Sequence, residues 1–587
     1  MNEVREIDYF FCRERDSKIL KLKSFTRGII AIIIFVVLCF LAAQLSPAAD
    51  KDLQKITWHS IVPPVLAISL AFLTRHVLLS LGIAIIVGGL MTEVSKNLSS
   101  VTAWLVGFKS VGIYVADTVT NKTNLQILAF IPLIFIMVEI IIVSGGFRGI
   151  ILWLLRLIKG RKSAQLATTL MGILCFIDDY TNAIVVGSMM QPITDRFRVS
   201  REKLAFLVDA TSAPVAGLAV VSTWIAYEVS LLNAVGQELG IAKSGYSIFF
   251  DALIFRFYCL LMITFIFMHI LWGRDFGPMR DAEERAKAGG QPVEDGAAPP
   301  INPESSGLKS SPQKSGRAIN ALIPVAGLLL FDITGLWVDG GGPARLGEGG
   351  SLLNLVYWRE VIGNADNSPL VLAFAALFGL TLALICARFF GGLKFPVIYR
   401  CFWLGIKRAA VPFAILILAW SLKRTCDSLK TGEFLTTILA EKVSPYWFPP
   451  VLFLIASVTS FATGTSYGTM AILIPTAIPI AFALDGDTYG LTTMISVGAV
   501  LDGAIFGDHC SPISDTTIMS SVASSCELID HVRTQLPYSL FVAGLALSFA
   551  YLPSSLGLAS RWSFLMAVSV MACFFVILAR YQKAYLH

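Results

Sequence analysis

The chain has 587 residues, of which 55% are hydrophobic and 15% are charged, with a net charge of +6 and a mean hydropathy of +0.72. Because soluble domains carry about 25% charged residues, this composition excludes a soluble protein and predicts a polytopic membrane protein. The excess of lysine and arginine lies mainly in loops, where it favours the cytoplasmic side, and it does not indicate a nucleic-acid partner. The ten cysteines are dispersed without metal-ligand spacing, which disfavours structural zinc and a disulfide framework.

The first apolar run follows a basic arm, residues 1–27, that the loop-charge rule places in the cytoplasm. Because this run lacks a small-residue cleavage site, we expect a retained anchor helix over 28–45 rather than a signal peptide. Later runs at 127–143, 248–272 and 371–387 are long enough to cross the membrane. Judged by the length needed to span the hydrocarbon, the chain has roughly ten to fourteen helical segments, some of them short and broken.

A polar segment, residues 273–317, divides the apolar sequence into a first half (60–272) and a second half (318–587). Its proline, glycine, serine and charged residues predict a disordered cytoplasmic linker. If both the N-terminus and the linker are cytoplasmic, the first half without the anchor crosses the membrane an odd number of times. A second copy after the linker is then inserted upside down, so we expect an all-α membrane fold of two inverted-topology repeats with broken helices.

Polar interruptions recur in the same order in both halves. A break at Asn182 precedes Pro192 by ten residues, and Thr465 precedes Pro475 by the same spacing. In each half a Ser/Thr-rich segment containing a proline follows. Paired interrupted helices at corresponding positions are the best sequence indication of a transporter's binding site.

Asp178 and Asp179 lie in the apolar context FIDDYTN, close to Asn182. Neighbouring helical residues point about 100° apart, so at most one of the two carboxylates faces a given cavity. We favour ion or proton binding by this pair, because a carboxylate inside a membrane is costly and usually functional. Capping of a helix end is the structural alternative.

In the first half, Asp209 is followed closely by Thr211, Ser212 and Pro214. A proline frees the carbonyl four residues earlier, and freed carbonyls beside hydroxyls suit Na⁺. Pro512 stands in a corresponding place in the segment GDHCSPISDTTIMSS. The candidate residues of this segment are Asp508, His509, Ser511, Asp515 and Thr516.

Three further ionisable residues leave alternatives open. His509 titrates near neutral pH in its unperturbed state, which suits proton sensing, but a hydrogen-bonded histidine at a helix end is the other reading. Glu139 is isolated in an apolar helix, either as a proton carrier or as a tether to an arginine on a neighbouring helix. Glu228 is a weaker candidate that we place near the membrane interface.

Three segments together resemble the NhaC family of Na⁺/H⁺ antiporters: FIDDYTN, SREKLAFLVDATSAPVAGLAVVSTWIAYE and GDHCSPISDTTIMSS. The resemblance runs from about Pro63 to Ser521. It implies inverted repeats with re-entrant helical hairpins, a homodimer with a scaffold and a moving transport domain, and a multi-pass protein of the cell membrane. It also implies Na⁺ and H⁺ as transported ions, the lipid bilayer as surroundings and no cofactor. The linker and the basic arm are additions to the family pattern.

The expected mechanism is exchange of Na⁺ for H⁺ by alternating access. Burial raises the pKa of a carboxylate, so that Na⁺ and H⁺ compete for one negative site, and we expect Asp209 and Asp508 to be the core pair of Na⁺ ligands. The alternative on the same fold is a coupled exchanger of small organic acids, such as malate and lactate, or of amino acids. A membrane enzyme is disfavoured, because a second aspartate at short spacing, HEXXH and GXSXG are missing from the polar breaks.

Overall fold

The computed structural model describes residues 58–74, 76–94, 101–154, 158–288, 317–347, 368–431 and 443–584, with residue 434 and short stretches between 351 and 367. All regular secondary structure within these ranges is helical, which confirms the predicted all-α class. The basic arm, the anchor run at 28–45 and residues 289–316 of the linker lie outside the described residues.

Eight helices in the described ranges are long and apolar enough to cross a membrane, and a bent pair makes a ninth. The eight are Lys122–Val143, Ile319–Asp339, Ser368–Phe389, Phe395–Ser428, Ser466–Leu484, Leu491–Cys510, Leu528–Ser555 and Ser560–Arg580. The bent pair is Gly245–Leu253 with Phe257–Trp272, which meet at 47°. The chain is therefore a multi-pass membrane protein.

The chain forms two compact units, residues 1–116 with 418–442 and residues 117–417 with 443–587. The described part of the first unit begins with a 3₁₀ turn, Trp58–Ile61, followed by helices α1 Val62–Thr74 and α2 Val77–Val94, and it takes in most of α3 Val101–Thr120. Within it the Thr431 hydroxyl donates to the Ser60 carbonyl at 2.7 Å.

The second unit contains the predicted functional residues, so its helices are given in full. In the first half they are α4 Lys122–Val143, α5 Gly146–Leu154, α6 Arg161–Leu174, α7 Asp179–Arg196, α8 Arg201–Ala210, α9 Ala213–Ala216, α10 Thr223–Glu238, α11 Gly245–Leu253, α12 Phe257–Trp272 and α13 Pro278–Lys287. In the second half they are α14 Ile319–Asp339, α15 Gly342–Gly347, α16 Ser368–Phe389, α17 Phe395–Ser428, α18 Phe448–Thr463, α19 Ser466–Leu484, α20 Leu491–Cys510, α21 Asp515–Ala523, α22 Leu528–Leu545, a π-helical turn Ala546–Tyr551, α23 Leu552–Ser555 and α24 Ser560–Ala584. The last residues of α17 belong to the first unit.

The order of helices and breaks repeats between the halves. A break at 175–178 separates α6 from α7, and a break at 464–465 separates α18 from α19. A second break, at 211–212 or 511–514, then precedes a short helix, α9 or α21. Three of the four breaks coincide with the predicted interruptions, whereas the first lies before Asn182, which is inside α7.

Glycines let α20 pack closely against α18. A Cβ atom added at Gly503 would lie 2.5 Å from the Phe453 carbonyl oxygen, and one at Gly507 would lie 2.3 Å from the Ser457 carbonyl oxygen. The two glycines are four residues apart and so lie on one face of the helix. In a membrane, where water does not drive helices together, such small residues allow the backbone contact that holds two helices.

The first part of the predicted linker is ordered, so the expectation of disorder is wrong for residues 273–288. Here α13 buries one face, made of Met279, Ala282, Glu283 and Ala286. Glu283 accepts hydrogen bonds from the Ser200 backbone at 2.8 Å and hydroxyl at 2.9 Å, and it pairs with Arg161. Composition alone missed this helix because its buried face is short and includes a charged residue that is neutralised only in the fold.

Candidate functional site

The first break places Asp178 at the N-terminus of α7. The Asp178 carboxylate accepts hydrogen bonds from the Thr181 backbone N–H at 2.9 Å and from the Thr181 hydroxyl at 2.6 Å. These hydrogen bonds make Asp178 the N-cap of α7, which is the structural alternative given above. Asp178 is buried, with 1% of its surface exposed. Asp179, also buried, follows in the first turn of the helix, where a negative charge is favoured.

Hydrogen bonds join the two breaks of the first half. The Asn182 side-chain N–H₂ donates to the carbonyl oxygens of Gly172 and Thr211, both at 2.7 Å. The Ser212 hydroxyl donates to the Asp179 carbonyl at 2.7 Å. Asn182 and Ser212 thus fix the two breaks against each other. The Thr211 hydroxyl donates back to the Leu207 carbonyl of its own helix at 2.7 Å.

The contact between these breaks requires a glycine at position 172, because an added Cβ atom would lie 2.0 Å from the Thr211 hydroxyl oxygen. Gly172→Ala is expected to lower stability by roughly 1–3 kcal/mol, the usual cost of overpacking, and to reduce transport by moving the second break. Thermal unfolding of the purified variant and vesicle transport measure the two effects. Gly544→Ala is the matched control, since no atom lies within 4 Å of its Cβ position. Equal stability of the two variants would contradict this prediction.

The two breaks of the second half also meet. The Ser466 hydroxyl, next to the N-cap Thr465 of α19, donates to Asp508 Oδ2 at 2.8 Å. The Ser511 hydroxyl donates to the Phe461 carbonyl at 2.7 Å. Asp508 at the end of α20 is therefore held directly against the break at 464–465.

Thr516 and Asp515 occupy different surroundings in the first turn of α21. The Thr516 hydroxyl shares a hydrogen bond of 2.9 Å with Ser514 and is buried. Asp515 is exposed, and its Oδ2 accepts a hydrogen bond of 3.3 Å from the Tyr180 hydroxyl of α7. The Tyr180–Asp515 bond connects the first break of one half with the second break of the other.

Four carboxylates gather around these breaks. Asp179 interacts electrostatically with Asp508, and Tyr180 interacts with both of them and with Asp178 and Asp515. Among the described residues, however, no three His, Cys, Asp or Glu side chains are arranged as ligands of one metal ion. The four carboxylates form an acidic cluster but do not converge on a single point.

Asp209 interacts electrostatically with Asp508, but its carboxylate oxygens accept hydrogen bonds from donors in the second half. Its Oδ2 accepts hydrogen bonds from Gln535 at 2.8 Å and His531 at 3.2 Å, and its Oδ1 accepts one of 3.4 Å from the Ser520 hydroxyl. Asp209 does not hydrogen-bond to Asp508, the other member of the expected core pair. His531 and Gln535 were missed in the sequence because they are more than 300 residues away along the chain and belong to an ordinary amphipathic stretch.

His509 is fully buried near the end of α20, and a hydrogen bond of 2.9 Å joins its Nδ1 to the Tyr258 hydroxyl. This contact corresponds to the structural alternative of a hydrogen-bonded histidine at a helix end. Glu139 pairs with Arg408 of α17, as the tether alternative for that residue predicted.

A buried ion-pair triad was not predicted. Arg256 lies at the bend between α11 and α12 and contacts Asp502 at 2.9 Å and Glu228 at 3.3 Å, with all three side chains fully buried. Asp502 also accepts hydrogen bonds from the Tyr258 backbone at 2.6 Å and the Tyr551 hydroxyl at 2.8 Å. Glu228 is thus buried inside the protein, and its position near the membrane interface stays a prediction. In the sequence, the triad could have been suspected from Arg256, which is the one basic residue in the apolar run 248–268.

A second buried cluster holds the start of α8, the helix that carries Asp209. Lys203 is fully buried, donates to His269 at 2.8 Å and pairs with Asp275, which also accepts a hydrogen bond of 2.7 Å from the Tyr538 hydroxyl. Burial is the largest single effect and would raise the pKa of Asp275, but the Lys203 ammonium, His269 and the hydrogen bonds from Lys203 and Tyr538 together lower this pKa to about 2. Asp275 therefore remains charged and keeps Lys203 in place.

Comparison with known proteins identifies the family of this chain. Residues 215–552 match the sequence profile of the Na⁺/H⁺ antiporter family. An uncharacterized protein from Haemophilus influenzae is 32% identical over 495 residues, covering 84% of this chain and 90% of the relative. The arginine/ornithine antiporter ArcD of Halobacterium salinarum is 28% identical over 251 residues, 40% of this chain and 42% of the relative. The Na⁺/H⁺ antiporter NhaC of Alkalihalophilus pseudofirmus is 37% identical over 91 residues, 16% of this chain and 19% of the relative.

The matched range includes the second-half residues Asp508, Asp515 and Gln535. It begins after Asp178 and Asp209, so the first-half residues rest on the geometry described above.

Proposed function

Since the chain belongs to the Na⁺/H⁺ antiporter family, we propose that it exchanges Na⁺ for H⁺ across the membrane, with Asp508 as the central cation-binding carboxylate. The observation that carries this proposal is the position of Asp508, buried between the two breaks of the second half and within electrostatic reach of Asp179. Carboxylate and hydroxyl oxygens are the ligands that hard cations prefer.

In the proposed cycle the Asp508 carboxylate, with the Ser466 hydroxyl beside it, binds either Na⁺ or a proton. Asp178, Asp179 and Asp515 raise the local concentration of cations without themselves completing a ligand shell. Movement of the breaks then exposes Asp508 to the opposite side of the membrane, where the other ion replaces the first. The Tyr180–Asp515 bond links both halves at this place and has to rearrange with the breaks.

The similarity to an arginine/ornithine antiporter supports a second candidate, exchange of a cationic amino acid. The acidic cluster suits the positive side chain of such a substrate. A binding site for its carboxylate is harder to assign, because Arg256 is already neutralised by Glu228 and Asp502. We therefore place Na⁺ first.

Orientation and assembly are parts of the same proposal. The basic arm before the first apolar run supports a cytoplasmic N-terminus. The family resemblance supports a homodimer in which one part of each chain moves against a scaffold.

Everted membrane vesicles loaded with a pH-sensitive dye test the proposed exchange. Na⁺, Li⁺, K⁺, arginine, malate and lactate are added separately after respiration has acidified the lumen. Na⁺ is expected to release protons from vesicles containing the protein, and vesicles from cells without it are the control. If arginine or malate releases protons and Na⁺ does not, Na⁺/H⁺ exchange is contradicted. The protein is then an exchanger of the amino acid or of the organic acid.

A further inference from the structure

Gln535 on α22 contacts both halves of the candidate site. Its side chain is fully buried, and its amide nitrogen donates one hydrogen bond to Asp209 Oδ2 at 2.8 Å and another to the backbone carbonyl of His509. A side-chain amide nitrogen carries two hydrogens, so both are used. Rotating the amide by half a turn would place its oxygen against two acceptors, and this fixes the orientation.

The His509 carbonyl is a meaningful partner because it belongs to the last turn of α20. The last four carbonyls of a helix have no partner within the helix, so this one depends on outside donors. Asp508 is the adjacent residue, and its carboxylate is bonded to Ser466. A donor that holds the His509 carbonyl therefore also sets the position of the Asp508 backbone.

His531 provides an instructive comparison on the same helix. Its Nε2 bonds to Asp209, while its Nδ1 has no hydrogen-bond partner among the residues that the structure describes. His531 thus bonds to Asp209 but not to the end of α20, whereas Gln535 bonds to both.

We propose that Gln535 is a positioning residue that couples the Asp209 carboxylate to the broken end of α20 and thereby to the cation site at Asp508. The proposal rests on the function proposed above and assigns a residue to it. Through this amide, any displacement of Asp209 on α8 is passed to the helix end that presents Asp508. Loss of the amide leaves Asp508 in the protein and leaves the longer bonds of 3.4 and 3.5 Å from the Thr517 hydroxyl to the Asp508 and His509 carbonyls, but it removes the side-chain link between this helix end and Asp209.

Gln535→Met tests the link because it keeps the length and volume of the side chain and removes both donors. The Na⁺ concentration for half-maximal exchange is expected to rise about tenfold, the effect of losing a hydrogen bond to a charged group. The maximal rate is expected to change less than the half-saturation value. Gln165→Met is the matched control, because Gln165 is a buried glutamine on α6 away from these contacts.

Gln535→Glu provides an independent variant, since it nearly preserves the shape of the side chain and replaces the donor by an acceptor. It places an oxygen against Asp209 and the His509 carbonyl, and we expect a larger rise in half-saturation than for Gln535→Met. If Gln535→Met does not accumulate in membranes, Gln535→Asn, whose amide is too short to reach both partners, takes its place with the same expected rise.

The wild-type protein in the same vesicles separates the two proposals. If it shows no Na⁺-driven proton movement, the proposed function fails. If it is active and the half-saturation values of Gln535→Met and Gln165→Met agree, the coupling role of Gln535 is overturned. A lower maximal rate with unchanged half-saturation would also overturn it, because that pattern indicates less active protein rather than a misplaced site.

Discussion

Asp508→Asn is expected to abolish Na⁺-driven proton movement, down to the level of vesicles without the protein. Asparagine keeps the size of the side chain and an oxygen for the Ser466 hydroxyl, but it cannot carry the charge for which Na⁺ and H⁺ compete. Dye dequenching in everted vesicles measures the loss, and immunoblotting of the same membranes confirms insertion.

Asp487→Asn is the control for this variant. Asp487 is an exposed loop residue with a backbone φ of 56°, a conformation that asparagine tolerates well. The exchange activity of the Asp487→Asn variant is expected to equal that of the wild type. Substantial exchange by Asp508→Asn at normal expression would remove Asp508 from the centre of the mechanism.

Arg256→Met is expected to give the largest loss of stability. Without Arg256, the buried carboxylates of Glu228 and Asp502 lose their shared cation, and breaking such a buried pair costs roughly 3–5 kcal/mol. We expect little folded protein in detergent extracts and a lower unfolding temperature for whatever remains. Size-exclusion chromatography and thermal unfolding measure both effects.

Arg280→Met is the matched control for the triad. Arg280 pairs with Glu284 on the exposed side of α13 at 2.7 Å, and both side chains are about half exposed. Such surface pairs contribute little because water screens them, so this variant is expected to behave like the wild type. Equal stability of the two arginine variants would mean that the triad does not hold the bend between α11 and α12.

Much of the fold was predictable because a membrane limits what a sequence can form. Long apolar runs have to be helices, since hydrocarbon offers no other partner for backbone polar groups. The polar interruptions around Asn182 and Thr465 could be placed because charge and hydroxyl groups are rare in such runs. Asp508 was predicted as a site residue for the same reason.

Pairing between distant residues was not predictable from local patterns. Asp209 looked like a free cation ligand next to Pro214, but its Oδ2 accepts hydrogen bonds from His531 and Gln535, and its Oδ1 accepts one from Ser520. For Asp178 the sequence favoured ion or proton binding over helix capping, and only the hydrogen bonds to Thr181 reveal the capping contact. A sequence shows which polar groups are costly to bury. The hydrogen-bond and ion-pair partners that offset this cost are brought together only by the fold.

Helix α13 shows the corresponding weakness of composition in polar segments. The average over residues 273–317 predicts disorder, yet ten of these residues form a helix that buries Glu283 against Ser200 and Arg161. An average over a long segment hides a short amphipathic helix, because the polar residues around it dominate the composition.

Uptake of radioactive sodium by proteoliposomes containing only the purified protein tests the central claim most directly. With an outward-directed proton gradient imposed, wild-type protein is expected to accumulate Na⁺, and collapsing the gradient or introducing Asp508→Asn is expected to prevent accumulation. Labelled arginine and malate, supplied under the same gradient, are expected to stay outside. Accumulation of arginine or malate without Na⁺ uptake would contradict Na⁺/H⁺ exchange as the function of this protein.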